Sequence, residues 1–458
     1  MRILTASLML PLVLCAPSPV DAQQVPRPVR PYRGLFGAGP PPEPTRTRHE
    51  LTLTASMTGG YDDVITPGDS GVTPGMVPQG GFAGLADGNL RYWFGRAGKS
   101  ISAEGRGFWN GYTDIDVDPM VGASGLVRAE TPLGRRNNFN AALDVAYEPT
   151  LILGAFTPLQ GDVDPNLLPE TGQTTGFAEQ RSWWSTSSGA FSRRWTTRQM
   201  TNLGFAYARR TYLDELGFDS RTSSGSAGHD WLFSRNTSVR GTYRFSRTSF
   251  LDAGDSMHPL SDHTVESGLA HTRRLSPTRE FYLAGGGGAT YVETFNESND
   301  APLDYWTPSG YATLRLGVGR SWSVSADYRR GITVLQGVTL ESFPTNAASV
   351  ATYGNLGRRV DLTLQGAYSI GQTGDSASSS RFASYSGLAR LRYALARCCA
   401  ASVDYDYYYY RLQDVANVPL GVPNQFDRNS VRVGFVVWLP LYGSYVDAPE
   451  RGGVRGRD

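Results

Sequence analysis

Lysine is almost missing from this chain of 458 residues: Lys99 is the only one, and every other fixed cation is an arginine. Charged side chains make up only 19% of the sequence, below the roughly 25% of ordinary soluble domains. With 43 basic and 42 acidic residues the formal net charge is +1, which excludes the basic excess of a protein that binds phosphate backbones. A solvated disordered chain is excluded as well, because such chains pair high net charge with few aromatics, whereas aromatics reach 11% here. Cysteine numbers three and histidine five, too few and too scattered for a disulfide scaffold or a zinc-ligand pattern. No nucleophile elbow, zincin helix or Walker loop occurs. His263 follows Ser261 and Asp262, but neighbours on a strand point to opposite faces and cannot form a triad. Neither catalysis, nor a cofactor, nor a nucleic-acid partner is expected.

Long apolar runs are also lacking. Only the first 22 residues approach one, and they read as a secretory signal peptide: Arg2 is the positive start, Ile3 to Leu14 the apolar core, Val20-Asp21-Ala22 the cleavage site. Leu14 stands before Cys15 where lipidation wants a small residue. No other stretch reaches the roughly 18 apolar residues of a spanning helix. Gln23 to His49 follows as an extended arm punctuated by Pro26, Pro28, Pro31, Pro40, Pro41, Pro42 and Pro44.

What is abundant is glycine (53), tyrosine (24) and tryptophan (9), with a mean hydropathy of −0.32. A polar average with many large apolar groups demands mixing at the scale of single residues, and alternating strands mix in that way. From Glu50 to Tyr442 the alternation is continuous. Leu51, Leu53, Ala55 and Met57 oppose Thr52, Thr54, Ser56 and Thr58. Val239, Gly241, Tyr243 and Phe245 oppose Arg240, Thr242, Arg244 and Ser246, and Trp322, Val324, Ala326 and Tyr328 oppose Ser323, Ser325, Asp327 and Arg329.

Links between these segments alternate in length. Short ones fall at Arg96 to Ser100, Thr131 to Asn138, Arg193 to Gln199, Ser234 to Thr237, Arg273 to Glu280, Gly319 to Ser321, Gly357 to Arg359 and Leu395 to Ala400. Long ones fall at Asp62 to Gly80, Thr113 to Pro119, Gly154 to Glu179, Asp214 to Arg221, Leu251 to Asp262, Phe295 to Tyr305, Leu335 to Thr345, Gly371 to Arg381 and Gln413 to Asp427. They predict an all-β, transmembrane, antiparallel up-and-down β-barrel of about 18 strands, with 16 or 14 as alternatives and both termini on the short-turn side. Short turns are basic and long loops acidic, a sorting that a soluble sandwich or propeller, the competing all-β reading, does not require. The organisation is therefore 1–22 signal peptide, 23–49 periplasmic arm, 50–442 barrel and 443–458 tail.

This combination resembles bacterial outer-membrane β-barrel proteins of the porin type. The resemblance implies a Gram-negative outer membrane and passive diffusion of small hydrophilic solutes. Such barrels close with a strand that ends on an aromatic residue; Ser430 to Tyr442 fits, and the Gly/Arg-rich tail Gly443 to Asp458 departs from the pattern. Tyr407 to Tyr410 followed by Arg428 to Leu441 also resembles barrels encoded with exopolysaccharide export systems. That implies an alternative function, an export or envelope component docking periplasmic partners through Arg27, Arg30, Arg33, Arg46 and Arg48 of the arm.

Alternation places Arg91, Glu104, Arg106, Asp144, Glu148, Arg240, Arg244, Arg315, Asp327, Arg329, Asp361, Arg390, Arg392, Asp404, Asp406 and Arg432 on inward faces. In a pore, opposed rows of carboxylates and guanidiniums set a transverse field that screens solutes. The same residues also read as cross-strand ion pairs, Asp404 and Asp406 lying between strands that carry Arg390, Arg392 and Arg432. Tyr408, Tyr410 and Trp438 face inward in this register, while Tyr405, Tyr407 and Tyr409 face outward as an interfacial girdle. The long loop with Asp162, Asp164 and Glu170 reads either as an inward-folded constriction or as a surface loop. Asp114, Asp116 and Asp118 read as solvated acidity; acidic loops of this kind would bridge lipopolysaccharide through divalent ions. Gly285 to Gly288 reads as a bend in the wall or a site of close approach, and Cys398 and Cys399 as incidental thiols on a turn.

Overall fold

The computed structural model describes residues 47–65, 79–96, 98–113, 119–150, 179–213, 219–251, 259–276, 279–296, 301–319, 321–334, 342–372, 380–396, 398–413 and 424–446. Every regular element among them is a β-strand. The first nine are β1 (Thr47–Ile65), β2 (Gln79–Arg96), β3 (Lys99–Tyr112), β4 (Met120–Pro132), β5 (Asn137–Thr150), β6 (Glu179–Arg194), β7 (Gln199–Tyr212), β8 (Ser220–Leu232) and β9 (Thr237–Phe250). The second nine are β10 (Leu260–Ser276), β11 (Arg279–Asn296), β12 (Ala301–Val318), β13 (Trp322–Val334), β14 (Ser342–Asn355), β15 (Val360–Gln372), β16 (Arg381–Ala394), β17 (Cys399–Gln413) and β18 (Gln425–Val446).

Each strand pairs antiparallel with its sequence neighbours, and β18 returns to β1 from Thr47↔Val446 to Asp62↔Ser430, with one bulge at Leu51/Thr52. The sheet closes on itself, so no row of backbone groups is left unpaired at an edge. The eight connections at one end are two to four residues long and those at the other four to 28. Four of the short turns carry a glycine at positive φ: Gly98, Gly134, Gly319 and Gly357. Others close by backbone bonds across the bend, as in Trp195 N to Gln199 O at 3.0 Å and Leu395 N to Cys399 O at 3.0 Å.

The wall extends beyond the sequence-based bounds at both ends, since β1 begins at Thr47 and β18 runs to Val446. Asp62 and Asp63, expected in the first long loop, lie on β1. The connection 297–300, expected to be long, spans four residues, which puts Asp304 on β12. The cause is shared. Strands of 13 to 22 residues exceed the 9 to 11 that a bilayer crossing requires, so they run past the apolar band at both ends, at the termini on the short-turn side and at Asp62, Asp63 and Asp304 on the long-loop side.

Side chains sort by register into two faces. Outward positions carry exposed Met57, Val265, Leu269, Val433 and Phe435. Aromatic rows bound this apolar band: Tyr61 and Phe82, Tyr147 and Trp183, and Tyr291 and Trp306 make ring contacts of 5.1–5.4 Å toward the long loops. Phe94, Phe191, Phe281 and Tyr393 lie toward the short turns. On β11, Phe281 and Tyr291 are ten residues apart, about 25 Å at a tilt of ~40°, the height of an outer-membrane apolar band.

The wall bends sharply at two places, the β18/β1 seam and a corner at β11. A Cβ built on Gly60 or Gly434 at the β1/β18 seam would stand 2.8 Å from the Arg432 Cα or 2.6 Å from the Thr58 Cα. One on Gly286 or Gly288 of β11 would stand 2.9 Å from the Gly268 Cα or 2.8 Å from the Glu266 Cα. At this second corner β10 and β12, which do not pair, bring Cα atoms within 8 Å of each other around β11. The four consecutive glycines serve as a bend.

Candidate functional site

The inward face is the candidate site. With ~4.8 Å between strands and a ~40° tilt, a circular 18-stranded wall is about 36 Å across from backbone to backbone. Register places each charged residue that alternation assigned to the lumen on the inward face of its strand. Arg91 stands opposite Glu104, Asp361 opposite Arg392, Arg390 opposite Asp404, Asp404 opposite Arg432, and Tyr311 opposite Arg329. Asp144, Glu148, Arg244, Arg315 and Asp327 share this face and are partly buried.

Many of these groups are paired along the wall. Arg390 Nε donates to Asp404 at 2.6 Å, and Arg392 grips Asp361 through two bonds of 3.0 and 2.7 Å. Arg392 therefore belongs to β15–β16 and not to the Asp404/Asp406 pair. Arg106 pairs with Asp87 at 2.6 Å, while Glu104 accepts from Asn89 at 2.6 Å. Arg210 bonds Glu148, which also accepts from Trp184 Nε1 at 2.9 Å. Arg240 pairs with Asp230, which accepts from Asn202 at 2.8 Å. Asp327 accepts from the Thr313 hydroxyl at 2.8 Å. Arg329 is exposed to the interior, within electrostatic reach of Arg244, Glu266 and Asp262.

The densest network crosses the seam. Asp62 has no exposed surface; it bonds Arg428, accepts from the Tyr112 hydroxyl at 3.1 Å and lies 3.4 Å from an Arg432 nitrogen. Arg432 also approaches Asp406 at 3.9 Å. This chain of charges ties β3, β1, β18 and β17 together. Asp62, Asp87, Arg210, Asp230 and Arg428 were not anticipated, although the period of two predicts them once it is followed beyond eleven residues; Arg428, for example, is four residues from Arg432 on the same face.

Above these charges, toward the long loops, lies an inward aromatic cluster. Tyr410 stacks on Phe426 (5.7 Å, 22°), and Tyr408 lies 6.1 Å from both. Tyr385 and Tyr409 meet on the outward face at 5.6 Å. At the β10–β12 corner, the Tyr311 ring lies across Gly286 and Gly268, where a Cβ on Gly286 would stand 2.8 Å from the ring edge. The residue that approaches these glycines is thus part of the wall itself.

Asp162, Asp164 and Glu170, Asp114, Asp116 and Asp118, the signal peptide, and all of the proposed arm before Thr47 lie outside the described residues. Cys398 ends the last short turn and Cys399 begins β17, with their sulfurs 3.8 Å apart. Among the described residues, no group of three or more His, Cys, Asp or Glu side chains is placed to hold a metal.

A closed antiparallel wall, an apolar outer band between aromatic rows and an inward face of paired charges define the class: a membrane-spanning β-barrel with the 18-strand architecture of outer-membrane porins. Among solved structures the chain is similar to OpdL of Pseudomonas aeruginosa, at 11% identity over 86% of this chain and 99% of that one, with a TM-score of 0.41. It is similar too to OccK2 (OpdF) of Pseudomonas aeruginosa, solved in complex with glucuronate, at 11% identity over 85% and 98% and a TM-score of 0.40. OccAB4 of Acinetobacter baumannii gives 11%, 85%, 98% and 0.40. No protein-family profile and no curated protein sequence matches the chain.

Proposed function

We propose that this protein is an outer-membrane channel through which small hydrophilic solutes diffuse passively, screened by a lumen of mixed charge. The observation that carries this reading is the inward face itself: a wall of 18 strands whose interior side is lined with guanidiniums, carboxylates and hydroxyls. Barrels of 16–18 strands are wide enough to leave an aqueous channel. Short turns then face the periplasm and long loops the exterior, the usual arrangement in such barrels, with export by the N-terminal signal peptide.

Asp404 and Asp406 fit a selectivity role, because they add two carboxylates to a stretch of wall where Arg390 and Arg432 are their neighbours. In planar bilayers under a tenfold KCl gradient, the Asp404→Asn/Asp406→Asn variant is expected to shift the reversal potential toward anion preference by several millivolts. An unchanged reversal potential in a conducting variant would leave these carboxylates a purely structural role.

A further inference from the structure

Three arginines stand where a membrane barrel has least reason to place them. Arg209 of β7 and Arg221 of β8 are directly opposite each other, and Arg247 of β9 is opposite Ser223, one side-chain step from Arg221 on the same face. That face is the outward one, opposite to Arg210, Thr222 and Thr248. All three side chains are exposed, and none has an ion pair with another described residue. Like charges facing each other across a strand pair repel, and a charge on the lipid side of a barrel is tolerated only near the interface.

The depth of the cluster identifies what would neutralise it. Phe245 lies one step nearer the apolar band than Arg247 on β9, with its ring 4.8 Å from that of His263. The row continues through Tyr291 and Trp306, marking the interface on the long-loop side. Each outward step of two residues rises about 5 Å at a ~40° tilt. Counted along their strands, Arg247 is one step, about 5 Å, and Arg221 and Arg209 two steps, about 10 Å, beyond the positions in register with Phe245, with a further offset of about 3 Å per strand from the tilt, at and beyond a headgroup layer of roughly 5–8 Å. The patch is local. Two strands further on, Glu293 and Asp304 face each other, outward and exposed, and the sign reverses.

We infer that Arg209, Arg221 and Arg247 form a binding site for the phosphorylated sugar headgroup of lipopolysaccharide in the outer leaflet. Guanidiniums on three adjacent strands span about 10 Å, the reach of a disaccharide carrying phosphates, and arginine forks grip phosphate bidentately. The assignment of leaflet rests on the outer-membrane orientation proposed above.

The test uses the full-length protein refolded in detergent micelles and titrated with bis-phosphorylated lipid A, retention being read by native mass spectrometry. Wild type is expected to hold one glycolipid per chain, and the Arg209→Gln/Arg221→Gln/Arg247→Gln variant to bind at least tenfold more weakly. The dephosphorylated glycolipid, titrated into wild type, is expected to bind as weakly, which tests the site without any variant that has to fold. Equal binding of both glycolipids by wild type, or equal retention by a folded triple variant, would overturn the site. Full displacement by millimolar inorganic phosphate would overturn its assignment to a lipid. Wild-type conductance in glycolipid-free bilayers is a separate result: a silent barrel that still retains phosphorylated glycolipid would contradict the channel and support this site.

Discussion

Asp361 has no exposed surface, and its carboxylate is held by both forks of Arg392, itself mostly buried. A charge in that position depends on its partner, because removing one member of a buried pair leaves the other uncompensated. Arg392→Ala is expected to lower the stability of the folded barrel in vesicles by about 3 kcal/mol in a urea titration. The Arg392→Met/Asp361→Asn double variant should recover a substantial part of that loss, since it removes both charges; strict additivity of the two single changes would contradict the pairing. Placement of these residues on one inward face was legible from alternation alone. Their partners were only partly so. Asp404 and Arg390 do pair, but Arg392 turned to Asp361 because strand register, which fixes who stands opposite whom, depends on turn lengths to the residue and not on periodicity.

At the scale of the strand, alternation and the alternating link lengths predicted the number and order of elements, and most long and short connections fall where expected. Strand ends did not, because the period of two persists on both sides of the membrane and nothing in it marks where lipid ends. Asp62 shows the consequence: read as loop acidity, it is the buried hub of the seam. Gly285 to Gly288 was open between a bend in the wall and room for a loop or the Pro-rich arm; the structure has the bend, with β11 at the corner, and the ring over Gly286 is Tyr311 of the wall itself. Gly286→Ala is accordingly expected to push the Tyr311 ring into the lumen, costing about 1–3 kcal/mol by overpacking and reducing conductance. Tyr311→Ala in the same chain should restore the conductance but only part of the stability, because the Gly268 Cα still stands 2.9 Å from the added methyl group. An unaltered melting temperature and conductance in Gly286→Ala would mean that the corner accommodates a methyl group freely.

The whole molecule explains the near-zero net charge. Positive residues gather at the short turns, where Arg135, Arg136, Arg198, Arg235, Arg358 and Arg359 stand, while the inner wall mixes both signs in pairs. The sum hides a separation of charge by place in the fold. Closure supplies the backbone hydrogen bonds that lipid cannot, and in the proposed channel the width of the closed wall would be the passage. The β1 strand begins at Thr47, and His49 already bonds Tyr92 at 3.0 Å, so a deletion that removes the preceding arm without damaging the wall must stop at Arg46. Single-channel recording of the intact protein and of the variant lacking residues 23–46 tests the central claim most directly. Stable ohmic steps in both are predicted; silence in both, or conductance that appears only after the deletion, would contradict an open channel.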